Sequence, residues 1–411
     1  MNVIKLAAGI LFVVLASNTS NSLMGEDVEQ LSVASVCQTE SPEGSEFQTA
    51  AQESSAMVLA ADEEELTSPS MSDLQKDGFD ACYRPFYSDP CPCVYFQAGA
   101  LLFQQVPRFG RQPIVVNNTD NTTLLSTSDF NSNFNPGMQA TVGRRLHNGW
   151  ALEFDYLGLF GGNTSAVAVK PDPNAFLTFP NNLTGNAFVD MDRTQVDHSS
   201  SFNSFALNLL CCCGCCDVVD SGKGDDKGKG GGKGGCGDVH CRSLSWFGGF
   251  RYINFSERLN ISAQRIVGGA VEDGTYNTTT NNNLYGAQLG ARLRRTSGRF
   301  GWDGTGFAGI FGNDARQTQS VTDFPNFALR PTVSSNRGGV AFVGGGNLSA
   351  LYSLNNVWNL RLGYSVLWIE GLALAPNQLD FNFASAQGGS QLHNGGGMLL
   401  HGANAGLEAR W

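Results

Sequence analysis

The chain has 411 residues, a net charge of −11 and only 15% charged residues, against about 25% in ordinary soluble domains. No basic stripe of the kind nucleic acid requires is present, so nucleic-acid partners are excluded. No run of about 18 apolar residues follows the first twenty positions, which excludes a helical membrane protein.

The first residues read MNVIKLAAGILFVVLASNTS. Lys5 gives a short positive region, Leu6 to Leu15 a brief apolar core, and Val14-Leu15-Ala16 a small-residue cleavage pattern. That predicts a secretory signal peptide over 1–16, cut after Ala16 and too short to span a bilayer as a helix. Cys37 lies well beyond the apolar core, so it is not a lipid-anchor cysteine. Residues 1–76 hold two basic and twelve acidic residues, so ten of the eleven net negative charges sit there. With no sustained periodicity, residues 17–90 are expected to form a largely disordered, acidic periplasmic leader.

From residue 91 the chain alternates. In WALEFDYLGLF, Trp150, Leu152, Phe154 and Tyr156 fall on one face, and Ala151, Glu153 and Asp155 on the other. Period two is a strand with an apolar and a polar face. WNLRLGYSVLW repeats the pattern, with Trp358 and Trp368 at the ends of the apolar row and Arg361 on the other face. The lengths suit tilted membrane-spanning strands of about 9–11 residues better than the roughly 5–6 residues usual in soluble sheets. Ten such segments are predicted, at 93–104, 137–146, 150–160, 202–212, 243–255, 283–294, 300–312, 339–352, 357–370 and 398–411. Long connections (105–136, 161–201, 256–282, 313–338, 371–397) alternate with short ones (147–149, 295–299, 353–356). The exception is the Cys/Gly/Lys-rich insert, placed at 211–242. Long outer loops, short periplasmic turns and an even strand number are the pattern of an outer-membrane barrel. The expected fold is therefore all-β, an antiparallel transmembrane β-barrel of about ten strands (range 8–14) over 91–411, with both termini periplasmic. The last strand, GANAGLEARW, ends on an aromatic residue, which suits recognition by the barrel-insertion machinery.

The segments GRRLHNGWALEFDYLGLF, FNSFALNLL, FGGFRYINFSERLNI, NNLYGAQLGARL, GTGFAGIFGNDARQ and NVWNLRLGYSVLWIEGLALAPNQLD resemble, in order, the bacterial beta-barrel porin family of type 7. The family's GFRY strand, with an acidic residue after it, is matched by Gly249, Phe250, Arg251, Tyr252 and Glu257. The resemblance implies an outer-membrane barrel of porin type and brings no catalytic residues. Neither the leader nor the cysteine insert shares it.

If the apolar rows face lipid, an aromatic girdle of Trp150, Tyr156, Tyr285, Trp302, Trp358, Trp368 and Trp411 is expected at the interfaces. The lumen then receives Arg145, Glu153, Asp155, Arg251, Arg292, Asp303, Arg361, Glu408 and Arg410. Ten strands lie near the small end of barrels, where side chains fill the interior. Nearly balanced charges would pair and hold the barrel closed. The expected function is limited passive passage of small polar solutes. The alternative is a structural barrel without an open pore, tied to the periplasmic layer. No cofactor is expected.

A third reading, a rim hydrolase built on Asp190, Asp192, Asp197 and His198, fails on geometry, because neighbours on a strand point to opposite faces. Parity places the insert and the other cysteines in the oxidising periplasm. Disulfides among Cys82, Cys91, Cys93, Cys211, Cys212, Cys213, Cys215, Cys216, Cys236 and Cys241 are then the expected chemistry, with periplasmic or wall components as candidate partners. A metal site at Cys236, His240 and Cys241 lacks the usual spacing and is not favoured. A decorative loop is the third alternative.

Overall fold

The computed structural model describes residues 94–108, 110–129, 134–146, 150–180, 185–218, 239–382 and 389–411, without the side chains of 107, 212–218 and 239–241. The expected signal peptide and leader lie outside the described residues, as do Cys82, Cys91, Cys93 and Cys236.

Thirteen strands occur among the described residues. They are β1 (Val94–Arg108), β2 (Pro113–Asn117), β3 (Thr123–Ser126), β4 (Phe134–Arg145), β5 (Trp150–Val169), β6 (Leu177–Thr178), β7 (Arg193–Val218), β8 (Val239–Val267), β9 (Ala270–Ser297), β10 (Phe300–Asp323), β11 (Phe327–Ser353), β12 (Trp358–Leu372) and β13 (Gly396–Arg410). Ten of them close an antiparallel barrel in the order β1-β13-β12-β11-β10-β9-β8-β7-β5-β4, and β4 pairs back onto β1. The remaining three, in the order β3-β2-β6, form a small sheet among the long connections.

Each of the ten expected segments is a barrel strand, but most are longer than the sequence pattern suggested. The long loops expected at 256–282 and 313–338 are instead strand: β8 has 29 residues, β9 has 28, β10 has 24 and β11 has 27. The β8–β9 hairpin turns on Gly268 and Gly269, both at positive φ (58° and 87°). A two-residue turn with φ > 0 at both positions matches the twist of the flanking strands and favours glycine. The Asn/Thr-rich run 277–283 carries no apolar alternation, so its strand character is set by pairing on both sides, with β8 and β10. The cysteine insert is also narrower than expected. Strand pairing continues through 211–218 and 239–242, to Val218 opposite Val239, and brings Cys216 opposite Cys241 in register. Residues 219–238 between them lie outside the described residues.

Outside, an apolar band encircles the barrel: Leu102, Val142, Leu152, Leu207, Trp246, Leu289, Ile310, Phe342, Leu362 and Leu407 are all exposed, Leu289 to 74%. An exposed apolar band of this extent marks a surface covered by something other than water. On the long-loop side the outward row changes to Asn260, Thr279, Asn277, Arg316 and Thr318, so β8 to β10 continue beyond the band as a polar wall. The band is continuous because strand alternation sends every second residue outward, and the closed ring leaves no unpaired edge in lipid.

Candidate functional site

The lumen is filled in three layers. At the end carrying the short turns, where the Val94 N–H donates to the Trp411 carbonyl, charged side chains cross the interior. Arg292 on β9 holds Glu153 on β5 with two hydrogen bonds, 2.7 and 2.9 Å. Glu153 is 1% exposed and also accepts from Tyr95, whose ring lies across Gly143, where a Cβ would clash with it. Arg361 on β12 reaches Asp303 on β10 and Glu408 on β13. Glu408 also faces Arg294 at 2.8 Å, and Arg410. Asp155 accepts from Thr141 at 2.7 Å and Asn208 at 2.8 Å. Arg251 bonds Gln288 and Ser204 and lies 4.5 Å over the Phe307 ring. Arg292–Glu153, Tyr95–Glu153, Arg361–Asp303 and Arg294–Glu408 join strands that are not neighbours in the ring, so they tie across the lumen, while the other bonds run along the wall between adjacent strands.

The middle layer is apolar. Leu101, Phe103, Phe202, Ile253, Phe255, Leu284, Phe311, Val343, Leu367, Ile369, Met398 and Leu400 are all buried and pack as one cluster. This corrects the expectation of a polar lumen. The inward rows of β1, β7, β8, β10, β11 and β12 become apolar midway, where they meet the loop that descends from β12.

That loop, described over 373–382 and 389–395, forms the third layer. Leu372, Ala373, Leu374 and Ala375 are all fully buried. A 3-10 turn, Ala375–Gln378, follows. Wall side chains bond the loop backbone. Asn282 donates to the Ala373 carbonyl at 2.9 Å and accepts from its N–H at 2.8 Å. Asn313 donates to Gly371 carbonyl, Gln319 to Gln378 carbonyl and Gln317 to Gly389 carbonyl. Glu257, 1% exposed, accepts from the Ala375 N–H at 2.9 Å and also meets His198 and Gln105. A carboxylate at the first turn of a helical segment satisfies an otherwise unpaired N–H. Above this, Ile114, Val115, Phe179, Phe188, Met191, Leu259, Ile261 and Phe381 form a second apolar cluster capped by the small sheet. Tyr276 is buried there and bonds the Asp380 backbone; burial pushes its phenol up to about 12, against the lowering pull of that backbone and of Arg330.

Glu153, Asp155, Arg251, Arg292, Asp303, Arg361, Glu408 and Arg410 come together in the charged layer, while Arg145 is exposed at its rim. Arg294 and the amides Asn282, Asn313, Gln317 and Gln319 were missed, and Glu257 stood out only through the family resemblance, not as a lumen residue. Arg294 shares its face with Arg292 by period two, so that signal was available; the amides give none. Trp150, Tyr285, Trp302, Trp358, Trp368 and Trp411 are exposed. Tyr156 differs: it stacks on Phe205 with centroids 4.9 Å apart, bonds Asn203, and is only 5% exposed, because its neighbours on the outer row cover it. Asp197 accepts from Gln195, whereas His198 is turned inward to Glu257, so the structure does not bring this pair together. Asp192 pairs with Lys170, and Asp190 lies elsewhere in the same connection. Cys211 is half-buried on β7, opposite Trp150 and Trp246. Of Cys212, Cys213, Cys215, Cys216, His240 and Cys241 only the backbone is described. No cluster of potential metal ligands occurs among the described residues.

A closed ring of strands, apolar outside and tied by charges within, defines an outer-membrane β-barrel. The chain belongs to the family described as "Putative beta barrel porin-7 (BBP7)", which matches residues 100–394. Comparison with curated proteins finds no match. Among solved structures it is similar to the outer membrane protease OmpT of Escherichia coli, with 9% identity, covering 79% of this chain and 99% of that one at a TM-score of 0.38. A Pseudomonas aeruginosa FadL homologue (9% identity, 77% and 90% covered, TM-score 0.20) and the P. putida toluene transporter TodX (9%, 78% and 90%, 0.16) are also similar. At these scores the likenesses assign no activity to this chain.

Proposed function

We propose that this outer-membrane barrel is closed at rest and serves chiefly as a structural element of the envelope rather than as an open diffusion pore. The observation that carries the reading is the buried loop segment Leu372–Ala375, held against an apolar layer by Asn282, Asn313 and Glu257. An aqueous path would have to break these bonds and wet the cluster around Phe103, Phe202 and Phe311. Ten strands are also few for a water-filled channel.

Limited passage of small polar solutes is the second reading, and the charged chamber at the short-turn end favours it. Passage then requires the loop to move. Both readings place the termini and the cysteine link in the periplasm. A tie to periplasmic or wall components through the cysteines would appear as reducible high-mass bands when envelopes are run without reductant. A rim hydrolase is disfavoured, since Asp197 and His198 point to opposite faces. Liposome swelling tests the main reading. Vesicles carrying the folded protein should not swell in small sugars; swelling at the rate of an open porin would overturn closure.

A further inference from the structure

The charged layer surrounds a cavity of about 200 Å³, lined by six arginines and four carboxylates. Guanidinium groups stay charged at any physiological pH, so even with Arg145 exposed at the rim, five arginines face four carboxylates and the lining carries a surplus of positive charge. A buried charge without a counter-charge costs several kcal/mol. The surplus concentrates around Glu408, which is shared by Arg294, Arg361 and Arg410. Asp303 offsets only part of it, through Arg361. Among the described residues, the Arg294 Nε–H and the Arg361 Nε–H are buried and meet no acceptor, although both side chains are more than nine-tenths buried and line the cavity. An unsatisfied buried donor is unusual and marks a place for an acceptor.

We propose that this chamber binds a small oxyanion of the phosphate or sulfate type, held by Arg294 and Arg361 with Arg410 beside them. The match is chemical. Guanidinium forks present parallel N–H donors that fit the oxygens of such anions, and the anion's charge would offset the surplus. Halide has no such geometry. The site lies below the apolar layer, with Arg145 exposed at its rim, so occupancy does not depend on whether the loop end opens.

The test is calorimetric titration of the folded full chain, in detergent, with inorganic phosphate and, separately, with chloride at equal ionic strength. Saturable binding of phosphate near one per barrel, absent with chloride, is expected. Arg294→Gln should weaken it at least tenfold. If Arg294→Gln does not fold, Ser243→Asp serves instead: Ser243 is the register partner of Arg294 on β8, so the new carboxylate would compete for the same guanidinium. Equal heats for phosphate and chloride, or unchanged phosphate affinity in the folded variant, would overturn the proposal.

Discussion

The two ends of the lumen are filled by different means. The short-turn end is filled by the walls themselves, with Arg292–Glu153, Arg361–Asp303 and Arg294–Glu408 joining strands that are not adjacent. The long-loop end is filled by an added segment, the connection from β12 to β13, which wall amides hold by its backbone. A charged tie is rigid and costly to break, since a lost partner leaves a buried charge. A loop held mainly by neutral amides, with Glu257 on the Ala375 N–H and Arg330 on the Asp380 carbonyl as its charged contacts, is easier to release and rehydrate, because each net neutral bond is worth only about 0.5–1.5 kcal/mol. On the proposed reading, the first end sets the barrel's shape and the second sets whether it is shut.

The largest effect should come from the charged end. Arg292→Leu strands Glu153 in the lumen and should cost about 3–5 kcal/mol, seen as a lower unfolding midpoint in urea by heat-modifiable gel migration. On the outer band, Leu362→Arg places a charge in lipid and should cost about 2–4 kcal/mol near the midplane. A harmless Leu362→Arg would mean that the band does not face lipid. At the loop end, Asn282→Ala should cost about 1–3 kcal/mol and act locally, raising protease cleavage within 373–395 while leaving the barrel's heat-modifiable band in place. If Asn282→Ala lowers the global midpoint as much as Arg292→Leu, the two ends do not differ as described. The smallest effect is alkaline. Below pH 10 Tyr276 is protonated whether the chain is folded or not. Above it, the unfolded chain ionises while the buried phenol resists to about 12. Its contribution to the loop end is therefore lost as pH rises through that window. Protease access to 373–395 should rise there, and Tyr276→Phe should remove the pH-dependent step.

The same division explains what the sequence revealed. The apolar rows of β5 and β12 alternate without a break, so the number of strands, their order and the outward face of Leu362 could be read directly. Glu153, Arg292 and Arg361 stand on the opposite rows, and period two was enough to place them together. The loop end offered no such period. NTTTNNN and RQTQS are uniformly polar, and their strand character comes from partners on either side. Inward Leu101 and Leu367 alternate with outward Leu102, Val366 and Trp368, so neither face stands out, and only the descending loop explains why both are apolar. Tyr156 shows the limit of the face argument: the row was right, but the covering Phe205 comes from another strand.

Single-channel recording in planar bilayers tests closure most directly, using native protein beside the double variant Glu257→Gln, Asn282→Ala. The native barrel should be silent, and the variant, with the loop's anchors on β8 and β9 removed, should give steps. Steady steps from native protein, unchanged in the variant, would contradict closure of the lumen by this loop.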